Sequence, residues 1–220
     1  MNVAVSGARL LCFAHRPAPG YAAAFGDAQA VLDQYGISAS GLRLAHFMAQ
    51  VLHESGGLRI ETENLNYHAH RLAQVWPQRF LPRGPLDPRD YALDPEKLAN
   101  SVYGGRMGNS APGDGYAYRG RGLLQLTGRD SYRNATRIAR ASDSQAPDFE
   151  AAPDQVLAAA WELRLAAAEW ESKDCNDFAD MDNLARVTRA INGGYNGLRE
   201  RGAWLRLTKR HFLRQGERHA

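Results

Sequence analysis

"SGLRLAHFMAQVLHESGG", residues 40–57, decides the reading of the fold. Leu44, Phe47, Met48, Val51 and Leu52 recur at the spacing that lines one face of an α-helix, with Ser40 as N-cap and Gly56-Gly57 as the stop. So broad an apolar face belongs to a buried helix, and Glu54 falls in its last turn. A carboxyl group there meets the negative end of the helix dipole and apolar neighbours, surroundings that suit a proton donor. Taken alone, Glu54 would read as a solvated helix-end charge. "HESGG" also begins like a zinc-protease helix, but that chemistry needs a second histidine where Gly57 stands, so no metal is expected.

Outward from this helix, the segment "ETENLNY" at 61–67 has no helical period. Asn64 and Asn66 offer Glu63 hydrogen-bonding neighbours, a setting for a general base, whereas Glu61 reads as a surface charge. Asn66 is the expected cap of a helix through "YHAHRLAQVW" that ends at Pro77, and Asp94-Pro95 opens "PEKLANSVY". Residues 104–122 carry seven glycines without periodicity and read as loop. "LLQLTG" reads as one extended piece, in which Gln125 and Thr127 face the same way. Helices resume in "RDSYRNATRIARA", "PDQVLAAAWELRLAAAEW", "DNLARVTRAI" and "LRERGAWLRLTKRHFLR", and "AVLDQYG" adds one near the start. The fold class is therefore mostly α.

Composition bounds the rest. The 220 residues, 44% hydrophobic, suffice for one domain over 1–220, or two lobes sharing one cleft, a larger helical one and a smaller one from about 60–115. The apolar stretches fall short of the ~20 residues a membrane span needs. The first residues lack a basic n-region and an unbroken apolar core, so no conventional signal peptide is expected and the chain is read as cytoplasmic until released. Cys12 and Cys175 match no metal spacing and read as two buried thiols. The net charge is +3, and all basic residues except Lys97, Lys173 and Lys209 are arginine. Arg206, Lys209, Arg210 and Arg214 concentrate that charge near the C-terminus, where it would favour an anionic envelope polymer. "GRG" lacks the pattern of a nucleotide-binding loop. Nucleic acid is not an expected partner.

Asn192 in "INGGYNG" stands at a helix end, where a C-cap turn competes with a contact to an N-acetyl group. Arg201 would by itself read as a solvated helix cation. Tyr67, Tyr103, Tyr116, Tyr118 and Tyr195 lie in or beside the glycine-rich loops, and such rings stack on sugar faces when they line a cleft.

Together "AQVLHESGG", "ENLNY", "VYGGRMGN", "YRGRGLLQLTG", "INGGYNG" and "RERGAW" resemble, in order and over roughly residues 40–210, the chitinase-like glycoside hydrolases of family 19, most closely their phage endolysin branch. The resemblance implies that the one domain is catalytic, with no separate wall-binding domain. It also implies a lysozyme-like, two-lobed helical fold with a small β-hairpin element near the cleft, no cofactor and inversion at the anomeric carbon. Residue by residue, Glu54 matches the general acid and Glu63 the residue that activates water. Thr127 resembles the hydroxyl that holds that water, with Gln125 beside it. Asn192 resembles a sugar-contacting Asn and Arg201 an Arg paired near the catalytic carboxylate, while Tyr67 and Tyr118 are the tyrosines expected to bind substrate. The implied substrate is the bond between N-acetylmuramic acid and N-acetylglucosamine in bacterial peptidoglycan, cut by a monomer that a holin releases from the producing cell's cytoplasm to the wall. Alternatives are a chitinase acting on β-1,4 N-acetylglucosamine polymers and a catalytically silent peptidoglycan-binding module. The Glu54→Gln protein separates the silent module, because only an enzyme loses lysis while still binding.

Overall fold

The computed structural model describes residues 2–213. Arg214, which the sequence groups with the basic C-terminal stretch, lies outside them. Twelve α-helices follow in order among the described residues: α1 (Gly7–Leu11), α2 (Pro19–Ala24), α3 (Ala28–Gln34), α4 (Gly41–Glu54), α5 (Ala69–Val75), α6 (Pro95–Tyr103), α7 (Asp114–Ala117), α8 (Arg129–Ser142), α9 (Glu162–Ser172), α10 (Cys175–Asp180), α11 (Leu184–Asn192) and α12 (Leu198–Leu213).

The hydrophobic pattern of α4 makes it the centre of the larger lobe. Every residue from Leu44 to Leu52 is buried, and Ser40 caps the helix by accepting from the Arg43 amide at 3.1 Å. Its main partner is α12, and the Thr208 hydroxyl there donates to the Ala45 carbonyl at 2.8 Å, which satisfies a buried polar group. Phe47 meets Trp170 of α9 edge to face at 5.5 Å. A second apolar cluster forms around α8 from Tyr118, Tyr132, Phe149 and Val156. A third, made of Leu65, Leu72, Phe80, Leu98 and Val102, is the core of the smaller lobe.

Between the lobes lies a minimal antiparallel ladder of isolated bridges, Thr62 to Arg121 and Arg121 to Leu126. The Glu63 amide donates to Gly120 at 2.8 Å and the Gly122 amide to Glu61 at 2.7 Å, so residues 61–63 and 120–122 are pinned side by side.

Several local expectations change. Helix α5 starts at Ala69 with His68 as N-cap; the Asn66 amide instead donates to the Asn64 side chain at 2.9 Å, an Asx turn that holds residues 64–66 out of the helix. The alanine-rich segment predicted as one helix from Pro153 breaks into a 3-10 turn, Pro153–Leu157, and α9. Burial of Val156 and the packing of Trp161 on Phe149 at 5.8 Å outweigh the helix propensity between them. The glycine-rich loop contains the short α7, and α10 had no clear sequence signal. Gln125 is not extended but left-handed, with φ of 51°. Both cysteines are free; Cys175 is buried as expected, whereas Cys12 is exposed.

Candidate active site

Glu54 is the last residue of α4, where Gly56 and Gly57, both at positive φ, turn the chain sharply away. Its carboxylate is ion-paired with Arg201 of α12. The Arg201 side chain is 1% exposed and also donates to Gln50 and, at 3.2 Å, to the Asn196 carbonyl. Glu54 therefore has more than the apolar, helix-end surroundings read from sequence: a buried cation fixes its position. Gln50 lies one helical turn before Glu54 on the same face, an i, i+4 relation whose significance depends on Arg201 reaching both side chains. His53 is also close. Burial, and then the charge of Arg201, hold its imidazole below the ordinary histidine range. The end of the "INGGYNG" loop lies against His53, where a Cβ on Gly197 would collide with the ring.

Glu63 is held by the ladder. The Tyr103 hydroxyl at the end of α6 donates to Glu63 Oε1 at 2.6 Å. Burial, and then the Glu63 charge, raise the Tyr103 phenol well above its usual range, so it remains a proton donor. Tyr67 stands nearby, raised first by burial and then by Glu63, with its ring edge-on to Trp76 at 5.3 Å. Among the described residues Glu63 Oε2 receives no protein hydrogen bond. It is the oxygen left to accept from a water.

Thr127 and Gln125 converge on Glu63 across Gly120. A Cβ on Gly120 would stand 2.9 Å from Gln125 Oε1, 3.3 Å from Thr127 Oγ1 and 3.4 Å from Glu63 Cβ. The two side chains thus reach the same place, but through the left-handed turn at Gln125 and not through strand alternation. The Gln125 amide nitrogen donates to Gly122 at 3.0 Å, and the Thr127 hydroxyl donates to the Gln125 carbonyl at 2.8 Å.

Next to Thr127 a cavity of about 270 Å³ opens between α8 and α9. Leu126, Ile138 and Leu165 give it apolar walls, and Asp130, Ser131 and Asn134 supply polar groups, but neither Glu54 nor Glu63 lines it. Lys173, also in its lining, donates to the Ile191 carbonyl at 3.4 Å, which brings exposed Asn192 to this region. Tyr118 is elsewhere. It is 5% exposed, donates to the Glu150 carbonyl at 2.9 Å and packs under Arg129, so it is a core residue and not a sugar platform. Among the described residues no group of three or more His, Cys, Asp or Glu could hold a metal ion.

No protein-family model matches the chain. A glycosyl hydrolase family 19 domain-containing protein of Haemophilus influenzae is 40% identical over 162 residues, 73% of this chain and 75% of that protein. The fold is similar to that of chitinase C from Streptomyces griseus HUT6037, with a TM-score of 0.61, 18% identity and coverage of 94% of this chain and 92% of that one. It is similar also to a bacterial family 19 chitinase, with a TM-score of 0.60, 18% identity and 94% of each chain covered. The chain belongs to glycoside hydrolase family 19. It is a glycoside hydrolase with the family's mostly helical, lysozyme-like fold.

Proposed function

We propose that this hydrolase cleaves the β-1,4 bond between N-acetylmuramic acid and N-acetylglucosamine in peptidoglycan, with inversion. The observation that carries the reading is the separate anchoring of two carboxylates. Glu54 is fixed by a buried guanidinium from α12, and Glu63, beside the ladder and near the Thr127 hydroxyl, by a neutral phenol from the end of α6.

In this scheme Glu54 protonates the glycosidic oxygen as the bond to C1 breaks. Glu63 Oε2 takes a proton from a water held with Thr127, and that water attacks C1 from the opposite face. The oxocarbenium charge that develops is stabilised by the Glu63 carboxylate. After turnover Glu54 is left ionised against Arg201 and Glu63 protonated, and exchange with solvent resets both. Asn192, Gln125 and Tyr67 are the substrate-contacting side chains.

"ENLNY" and "VYGGRMGN" support peptidoglycan through their likeness to the endolysin branch; release by a holin from the cytoplasm to the wall is part of the same proposal. The structural neighbours are chitinases, which favours chitin as the second reading. Mass spectrometry of digested peptidoglycan separates these. Muramic acid at the new reducing end supports the proposal; glucosamine there, or release of products from chitin oligomers alone, overturns it.

A further inference from the structure

"VYGGRMGN", residues 102–109, enters the scheme above only through the Tyr103 phenol, yet both of its ends reach the site. At one end Tyr103 holds Glu63 Oε1 at 2.6 Å. At the other end Asn109 is 1% exposed and makes two hydrogen bonds in opposite directions. Its Nδ2 donates to the Tyr103 carbonyl at 3.0 Å, and its Oδ1 accepts from the Arg129 amide at 2.9 Å. Arg129 opens α8 two residues after Thr127. The loop between closes on itself, with the Gly105 amide donating to the Asn109 carbonyl at 2.8 Å. The far side is fixed as well: the Asp130 amide donates to the Met107 carbonyl at 3.1 Å.

We propose that this segment is a brace in which Tyr103 and Asn109 act as positioning residues, setting the Glu63 carboxylate at a fixed place relative to the Thr127 hydroxyl. Glu63 and Thr127 each follow a bridge residue, Thr62 and Leu126, on either side of Arg121, and a ladder of isolated bridges is too short to be rigid by itself. A water to be deprotonated must meet both groups at hydrogen-bonding distance, so slack between them lowers the rate without removing either group. The brace removes that slack through three hydrogen bonds: Glu63 to Tyr103, Tyr103 to Asn109, and Asn109 to the start of α8. Tyr103 suits the task because its hydroxyl occupies one carboxylate oxygen and leaves the other for the water. The tyrosine stays neutral throughout, so it restrains Glu63 without competing for the proton.

The inference rests on Glu63 being the base, and the test keeps the two apart. Turnover of a chromogenic chitooligosaccharide or of purified peptidoglycan is compared for the parent, Tyr103→Phe, Glu63→Gln and the double variant, with a thermal melt for each. Tyr103→Phe is expected to lower kcat by about tenfold to a hundredfold, with KM within about twofold. Added to Glu63→Gln, it is expected to cost less than about twofold, because a residue that acts through Glu63 has nothing left to position. Asn109→Ala is expected to lower kcat in the same direction, and Asn109→Asp, which keeps only the acceptor, to fall between Ala and the parent. The proposal is overturned if Tyr103→Phe leaves kcat within about twofold of the parent, or if it costs the same factor in both backgrounds. Full activity of Glu63→Gln would instead remove the base assignment, and the brace with it.

Discussion

Glu54 and Arg201 form a pair whose two jobs can be separated by substitution. Arg201 is 1% exposed, so removing its partner's charge leaves a buried cation uncompensated, a defect of about 3–5 kcal/mol when a buried pair is broken. Glu54→Gln is therefore expected to lower turnover by at least about a hundredfold and also to lower the melting temperature. Combining it with Arg201→Met should restore most of the stability and none of the activity; recovery of activity in the double variant would show that Glu54 is structural. A second buried acid behaves differently. Glu162 is 2% exposed, neither carboxylate oxygen has a protein partner, and Glu61 lies close by across Gly20. Burial, then the Glu61 charge, push it up to about 8 from 4.5. Because the folded value is the higher one, its contribution to stability is full below about 4.5 and is lost as pH rises through about 8. Glu162→Gln escapes that loss, so its melting temperature should gain on the parent between pH 5 and 9, by the equivalent of ~1–3 kcal/mol. A difference that stays flat across that range would contradict the assignment. At this scale Glu54 and Glu63 stand out in the sequence only through the resemblance to family 19, since Glu54 alone would read as a solvated helix-end charge; the structure gives each a fixed partner, Arg201 and Tyr103. The sequence could not reveal Tyr103 or Gln50, whose roles depend on what the fold brings opposite them, and it misjudged Tyr118 because a tyrosine in a glycine-rich loop can turn inward as readily as outward.

Among the elements, those with a strong period were readable: α4 with its Ser40 cap, α6 opened by Asp94-Pro95, and α8. Where tertiary packing outweighed local preference the reading slipped, as between Pro153 and α9 and at the start of α5. The extended reading of "LLQLTG" brought Gln125 and Thr127 together for a reason the structure replaces, since the left-handed Gln125 turns its side chain back over Gly120. That close approach is testable. Gly120→Ala sets a methyl group 2.9 Å from the mobile end of Gln125, which can move aside at little cost, but also 3.3 Å from Thr127 and 3.4 Å from Glu63 Cβ. The variant is expected to lose less than about 1 kcal/mol of stability and yet to drop in kcat by about tenfold. Circular dichroism melts alongside kinetics check this, and unchanged kcat would mean that Gly120 does not border the reacting water.

For the whole molecule, the proposed peptidoglycan substrate makes the charge distribution testable. The basic C-terminal stretch is less free than its sequence suggests, since Lys209 is paired with Asp182 at 2.5 Å. Arg206 and Arg210 remain as the described cations of that group for an anionic wall polymer. Neutralising both is expected to flatten the salt dependence of binding to purified peptidoglycan, whereas neutralising Lys209 should act mainly on stability; an unchanged salt slope removes α12 from wall binding. The overall architecture was legible because six ordered motifs span the larger lobe and the site, while the ladder that joins the lobes is too short to carry a strand signature. The proposed inversion requires water to attack from the face opposite Glu54. Proton NMR of a chitooligosaccharide or peptidoglycan fragment, recorded within the first minutes of hydrolysis, reads that directly. The α-anomer should appear first at the new reducing end and only later mutarotate to β; a β-anomer formed first would contradict the assignment of Glu63 as the base that activates the water.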